Sequence, residues 1–115
     1  ENVKQAILAE SELDTRLVMR PLRNTERVLT NSGVERLLEK EKTLGAHIKF
    51  EDIAEEVGGV YPRIMEEGDM EAGAWSCGMV AGLVYDIPTV QELVDRIMQE
   101  ADSLIAQRLS NFAAA

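Results

Sequence analysis

The sequence predicts a mainly α-helical chain, and three observations carry that prediction. Apolar residues make up 45% of the chain but aromatic ones only 4%, so its core must be aliphatic, rich in Leu, Val, Ile, Ala and Met. Apolar side chains recur at helical rather than alternating intervals in several windows, most regularly after Thr89. Helix-stopping residues, Gly45, Gly58-Gly59, Gly68 and Pro88, stand where those periodic windows end. At 115 residues and 12.8 kDa the chain suffices for one small domain.

In chain order, Val3, Ala6, Ile7 and Glu10 keep helical spacing, and no Pro or Gly interrupts residues 1–10, so a short amphipathic helix is expected. Neither Ser, Thr nor Asp precedes its first apolar residue. An uncapped start of this kind suggests a polypeptide that continues upstream of Glu1. Asp14 to Arg20 runs into Pro21, which disfavours helix at Arg20 and favours an extended segment. Arg16, Arg20, Arg23 and Arg27 form the one basic cluster, with Glu26 as the single opposing charge among them. Guanidinium groups so clustered suit either an anion or ion pairs with the acidic remainder of the chain.

Asn31-Ser32-Gly33 forms a turn with a capping residue, and Val34, Leu37, Leu38 and Leu44 follow at helical intervals until Gly45, predicting a helix from about Gly33 to Leu44. His47 falls in a connector and is expected at the surface. Phe50, Ile53, Ala54 and Val57 predict a short helix closed by Gly58-Gly59, and Tyr61-Pro62 opens another that stops at Gly68. Eight acids and one Arg lie between Phe50 and Glu71, but no calcium-loop pattern accompanies them and no metal site is expected.

The stretch from Gly68 to Pro88 holds the single Trp, the single Cys and four of the eight glycines. No charge occurs from Ala72 to Val84. Ala74, Gly78 and Gly82 fall at i, i+4 and i+8, which on a helix makes a smooth stripe for close approach of a backbone or a flat ligand. Cys77 in this apolar run is expected to be a buried, inert thiol. Beyond Pro88, Thr89 and Glu92 compose a capping box. Val90, Leu93, Val94, Ile97, Ala101, Leu104, Ile105 and Leu109 line one face of a helix of about twenty residues.

Charge and motifs exclude several functions. A net charge of −9 opposes sequence-independent binding to nucleic acid or to an anionic membrane. The uncharged run is too short to cross a bilayer, and Glu1 opens no signal-peptide pattern, so a cytoplasmic protein is expected. One Cys and one His complete neither a disulfide nor a zinc site. Phosphate-binding glycine loops and nucleophile elbows are absent from the sequence.

The run Asp69, Ala72-Gly73, Trp75-Ser76, Gly78, Gly82-Leu83-Val84, Asp86-Ile87-Pro88-Thr89-Val90 and Glu92-Leu93-Val94 resembles the C-terminal signature of the nitronate monooxygenase, or 2-nitropropane dioxygenase, family. Lys4, Ile7-Leu8-Ala9, Asp14-Thr15, Leu17, Arg27-Val28-Leu29 and Asn31 resemble the segment by which that family leaves its barrel and enters its helical domain. The resemblance runs from residue 1 to about 108 and implies the last third of an FMN-dependent (β/α)8 TIM-barrel enzyme, with most barrel strands, the FMN phosphate site and the catalytic histidine lying outside it. It implies residues 1–30 as barrel-exit helix and connector, 31–68 as helical lid, and 69–115 as glycine-rich helix and C-terminal helix, together one partial domain. No catalytic residue and no metal ligand is then expected in the chain, and no FMN is expected on the chain alone. The parent enzyme is expected to oxidise alkyl nitronates with O2 using FMN, the missing N-terminal barrel being the main partner and a homodimer a further one. Gly78 and Met79 are expected nearest the cofactor, and Trp75 and Ser76 nearest the substrate. The family often carries Ala-Gly-Gln where this chain has Cys77-Gly78-Met79, so an amide is missing at Met79. A flavin-dependent enoyl reductase of the same barrel type and an independent helical interaction module are the alternatives.

Overall fold

The computed structural model describes residues 1–113 and divides the chain into two compact units, Glu1–Tyr85 and Asp86–Ala115. In the first unit, helix α1 (Asn2–Ala9) leads to strands β1 (Thr15–Val18) and β2 (Glu26–Leu29), followed by α2 (Ser32–Leu44). A series of short turns comes next: 3-10 turns Gly45–His47 and Phe50–Ile53, helices α3 (Ala54–Val57) and α4 (Val60–Pro62), a π-helical turn Arg63–Glu67, and a 3-10 turn Met79–Leu83. The second unit is built on α5 (Val90–Ala113).

The extended segment before Pro21 is β1, and its antiparallel partner β2 sets Thr15 opposite Leu29 and Val18 opposite Glu26. The connection turns tightly enough to put two non-glycine residues, Met19 (φ 58°) and Arg23 (φ 55°), in the left-handed region. Met19 is held there by its N–H, which donates to the Glu41 carboxylate of α2, and by its carbonyl, which accepts from Asn24 N–H at 3.2 Å. Helix α2 starts as the sequence predicts, with the Asn31 side chain accepting from Val34 N–H at 2.9 Å, and ends at Gly45.

Two clusters form the core of this unit. Val18, Met19, Val28, Val34, Leu37, Ile48, Ile53 and Ala74 join the hairpin to α2 and the turns after it. Leu29, Val60, Ile64, Ala72 and Trp75 form the second, and the predicted apolar face of α1, Val3, Ala6 and Ile7, packs against it. Among the described residues Glu56 is the one carboxylate driven inside, 1% exposed, where Lys40 Nζ donates to both its oxygens at 2.8 Å.

The glycine-rich helix expected within 69–115 does not form. Residues 70–73 are turns and bends, Trp75–Cys77 is extended, and helical backbone between Asp69 and Tyr85 is confined to the 3-10 turn Met79–Leu83. The physical reason is that the glycines serve separate close approaches instead of one stripe. Gly73, at φ 149°, presses on Gly33 at the start of α2, where a Cβ on Gly33 would come within 2.5 Å of the Gly73 Cα. Gly82 abuts the Ser11-Glu12 backbone beyond α1. At Gly78, by contrast, a Cβ would meet only Val80 Cγ2 at 3.7 Å, an ordinary contact.

In the second unit the predicted capping box is present: Thr89 N–H donates to Glu92 Oε2 at 2.8 Å and Glu92 N–H donates to Thr89 Oγ1 at 3.2 Å. Arg96 reaches back one helical stretch to Asp86 with two bonds of 3.1 and 2.7 Å. Val90, Leu93, Val94, Ile97, Leu104, Ile105 and Leu109 on the predicted stripe are all exposed.

Candidate functional site

The segment Trp75–Cys77 attaches to the open edge of β2 as a third, short strand. Leu29 N–H donates to the Trp75 carbonyl at 3.4 Å and Cys77 N–H to the Arg27 carbonyl at 3.0 Å, with Ser76 bridged to Val28. Period-two alternation then separates the four residues singled out in the sequence. Trp75 points into the second core cluster, 4% exposed, whereas Ser76 faces solvent and Gly78 and Met79 follow it on the exposed side. Ser76, Gly78 and Met79 are all exposed, and Trp75 is buried beneath the segment that carries them. The Trp75 indole N–H is buried without a hydrogen-bond partner.

Ser76 is held from two directions. Its N–H donates to Tyr61 Oη at 3.0 Å, and Tyr61 Oη donates to Ser76 Oγ, also at 3.0 Å. Ser76 Oγ in turn donates to the Glu26 carboxylate on β2. A carboxylate only accepts, so the Ser76 proton must point to Glu26 and the Tyr61 proton to Ser76. Sequence reasoning did not find Tyr61 or Glu26, because they lie 15 and 50 residues from Ser76 and only the fold brings them together.

Cys77 is half-buried, and burial, with a smaller push from the Glu10 carboxylate, raises its thiol pKa above the ordinary value. A raised pKa disfavours the thiolate that a nucleophilic role needs. Glu10 is itself raised by burial and by the nearby Asp14 carboxyl. His47 is exposed as expected. No group of three or more metal-binding side chains occurs among the described residues. Among those residues the four arginines make no ion pair: Arg16 donates to the Leu13 and Thr15 carbonyls, and Arg27 to Thr15 Oγ1. The acidic turns use their charges locally, as in the Arg63–Asp69 pair at 2.7 Å.

A flavin, which the sequence resemblance implies, can be tested against this surface. A Cβ at Gly78 would meet only Val80 Cγ2 at 3.7 Å, Met79 is 60% exposed, and the uncharged stretch around them suits contact with the edge of a flat, largely apolar ring. No basic side chain occurs from Ala72 to Val84, so the phosphate of such a cofactor needs other residues to hold it.

Mainly helical, with one small hairpin, the fold matches the helical portion of a TIM-barrel enzyme. Among solved structures, the chain is similar to FabK from Thermotoga maritima, with a TM-score of 0.80 and 25% identity over 96% of this chain and 34% of that one. It is also similar to the M276A mutant of that FabK, with a TM-score of 0.72 and 23% identity over 96% of this chain and 31% of that one. The chain thus spans about a third of the length of the structures it matches. No family profile matches it. No helix among the described residues is long and apolar enough to cross a membrane.

Proposed function

We propose that this chain is the largely helical C-terminal part of an FMN-dependent oxidoreductase and that it supplies one wall of the flavin and substrate cavity. The observation carrying this reading is the FabK match, a TM-score of 0.80 over 96% of the chain and only 34% of FabK. FabK is a flavin-dependent enoyl reductase, so reduction of a conjugated thioester is the favoured activity of the parent enzyme. Oxidation of alkyl nitronates is the second reading, favoured by the signature running from Asp69 through Asp86-Ile87-Pro88 to Val94.

When bound, FMN supplies the electron transfer; the protein orients the reactants and keeps water out. In this chain Gly78 leaves room for a ring edge, Met79 offers an apolar contact, and Trp75 backs the wall from the core. Ser76 is the polar group on that wall, positioned by Tyr61 and Glu26.

The test is anaerobic spectroscopy on the protein at the length its gene encodes. A flavin spectrum is expected, and flavin reduced with dithionite should be reoxidised by an enoyl thioester. Bleaching of oxidised flavin by an alkyl nitronate, with no response to the thioester, decides for the second reading. A colourless protein that takes up no FMN overturns both.

A further inference from the structure

The chain of hydroxyls at Ser76 has a fixed direction and an open end. Glu26 accepts from Ser76, Ser76 accepts from Tyr61, and Tyr61 Oη accepts only the Ser76 N–H. Tyr61 is 48% exposed, and its phenolic oxygen, which accepts one N–H, has a second lone pair to accept with. Glu26 has arginines as neighbours in sequence, yet among the described residues its carboxylate forms no ion pair and is spent on Ser76. Three separate elements, β2, α4 and the edge strand at 75–77, are needed to build this line, and α4 runs directly into the π-helical turn Arg63–Glu67. Single π turns recur beside functional groups.

The geometry points to a proton relay that opens at Tyr61 and ends at Glu26, serving a substrate whose reacting carbon stands next to a carbonyl or nitro group. This rests on the reading of the chain as part of a flavin oxidoreductase acting on such compounds. A proton leaving that carbon bonds to Tyr61 Oη while the Tyr61 proton moves to Ser76 Oγ and the Ser76 proton to Glu26. The C–H electron pair stays with the substrate as an enolate or nitronate, and the carboxylate ends as a carboxylic acid. Run backwards, the same line protonates an enolate. Nothing is oxidised in the step, so the relay works on either substrate class.

Exchange of the α-proton of 1-nitropropane in deuterated buffer, followed by NMR on the protein at its encoded length, reads this step without any turnover of the flavin. The wild type should accelerate exchange over buffer. Tyr61→Phe and Glu26→Gln should each lower that acceleration by roughly a hundredfold, a usual share for acid–base catalysis. Glu26→Asp should restore part of it, which a purely structural loss does not. Far-ultraviolet circular dichroism checks that the variants fold. Exchange at the buffer rate in the wild type, or at the wild-type rate in Tyr61→Phe and Glu26→Gln, overturns the relay. The flavin spectrum of the same samples tests the parent reading separately: Tyr61-dependent exchange in a colourless protein keeps the relay and discards the flavin.

Discussion

Gly33 and Gly73 meet backbone to backbone, a close approach that the 74/78/82 spacing does not announce. Gly73 also faces the Glu56 carbonyl oxygen, which accepts Ala74 N–H at 2.8 Å, so the segment is pinned to α3 on one side and α2 on the other. Gly73→Ala would drive a methyl group into that carbonyl at a φ of 149° that L-residues rarely adopt. Strain and overpacking together should cost about 3 kcal/mol in a denaturant melt. Gly78→Ala, with ordinary contact alone, should leave the midpoint unchanged to within about 0.5 kcal/mol. The side chain of Glu56 beside this contact gives a second expectation. Lys40→Met would leave a 1%-exposed carboxylate with only Arg36, 3.8 Å away, as a counter-charge. Breaking a buried pair from one side costs about 3 kcal/mol at the low end of measured cases, and the same melt reads it.

At the scale of elements, local chemistry made some boundaries legible and left others hidden. Asn31, Gly45, Thr89 and Glu92 act through neighbours three or four residues away, so α2 and the start of α5 follow from sequence alone. Strand β2 was not foreseen because Glu26 to Leu29 shows no alternation; its pairing with β1 makes it a strand. The glycine helix was misread because the interval of four matched a helical face, while the native contacts of Gly73 and Gly82 are with α3, α2 and the loop after α1. Likewise Ser76 was singled out but its partners were not, since no local pattern encodes a contact across 50 residues. The capping box yields a pH expectation. Bonds from the Thr89 backbone and hydroxyl hold the Glu92 carboxyl below its ordinary pKa. A depressed folded pKa means that the contribution is complete above the ordinary carboxylate range and is lost as pH falls through the lower, folded value. Helicity measured by circular dichroism should therefore fall on acidification more in the wild type than in Glu92→Gln. Thr89→Ala should cost α5 about 1 kcal/mol at neutral pH, and a helicity equal to wild type would place the start of the helix elsewhere.

At the scale of the whole molecule, each unit presents apolar groups that its own residues do not cover. The first exposes Met79, Val80, Leu83 and Tyr85 at 60% or more, and the second exposes Leu93, Val94, Ile97, Leu104 and Ile105 on one helical face. Fully burying a side chain of this size contributes roughly 1.5 to 3 kcal/mol, and a domain's net stability is only about 5 to 15 kcal/mol, so surfaces of this kind are normally covered. The structures this chain matches are about three times longer, which supplies a natural cover in the proposed parent enzyme. Produced alone, the 115-residue chain lacks that cover and should associate through the α5 face, most simply as a two-fold pair. Sedimentation equilibrium should show a mass that rises with concentration above 12.8 kDa. Leu93→Glu combined with Ile97→Glu puts charges one turn apart on that face and should return the chain to a monomer, whereas Gly78→Leu, in the first unit, should leave association unchanged. A wild-type chain that stays monomeric at every concentration would remove the case for self-pairing, and a double variant that associates as strongly as wild type would move the contact off α5.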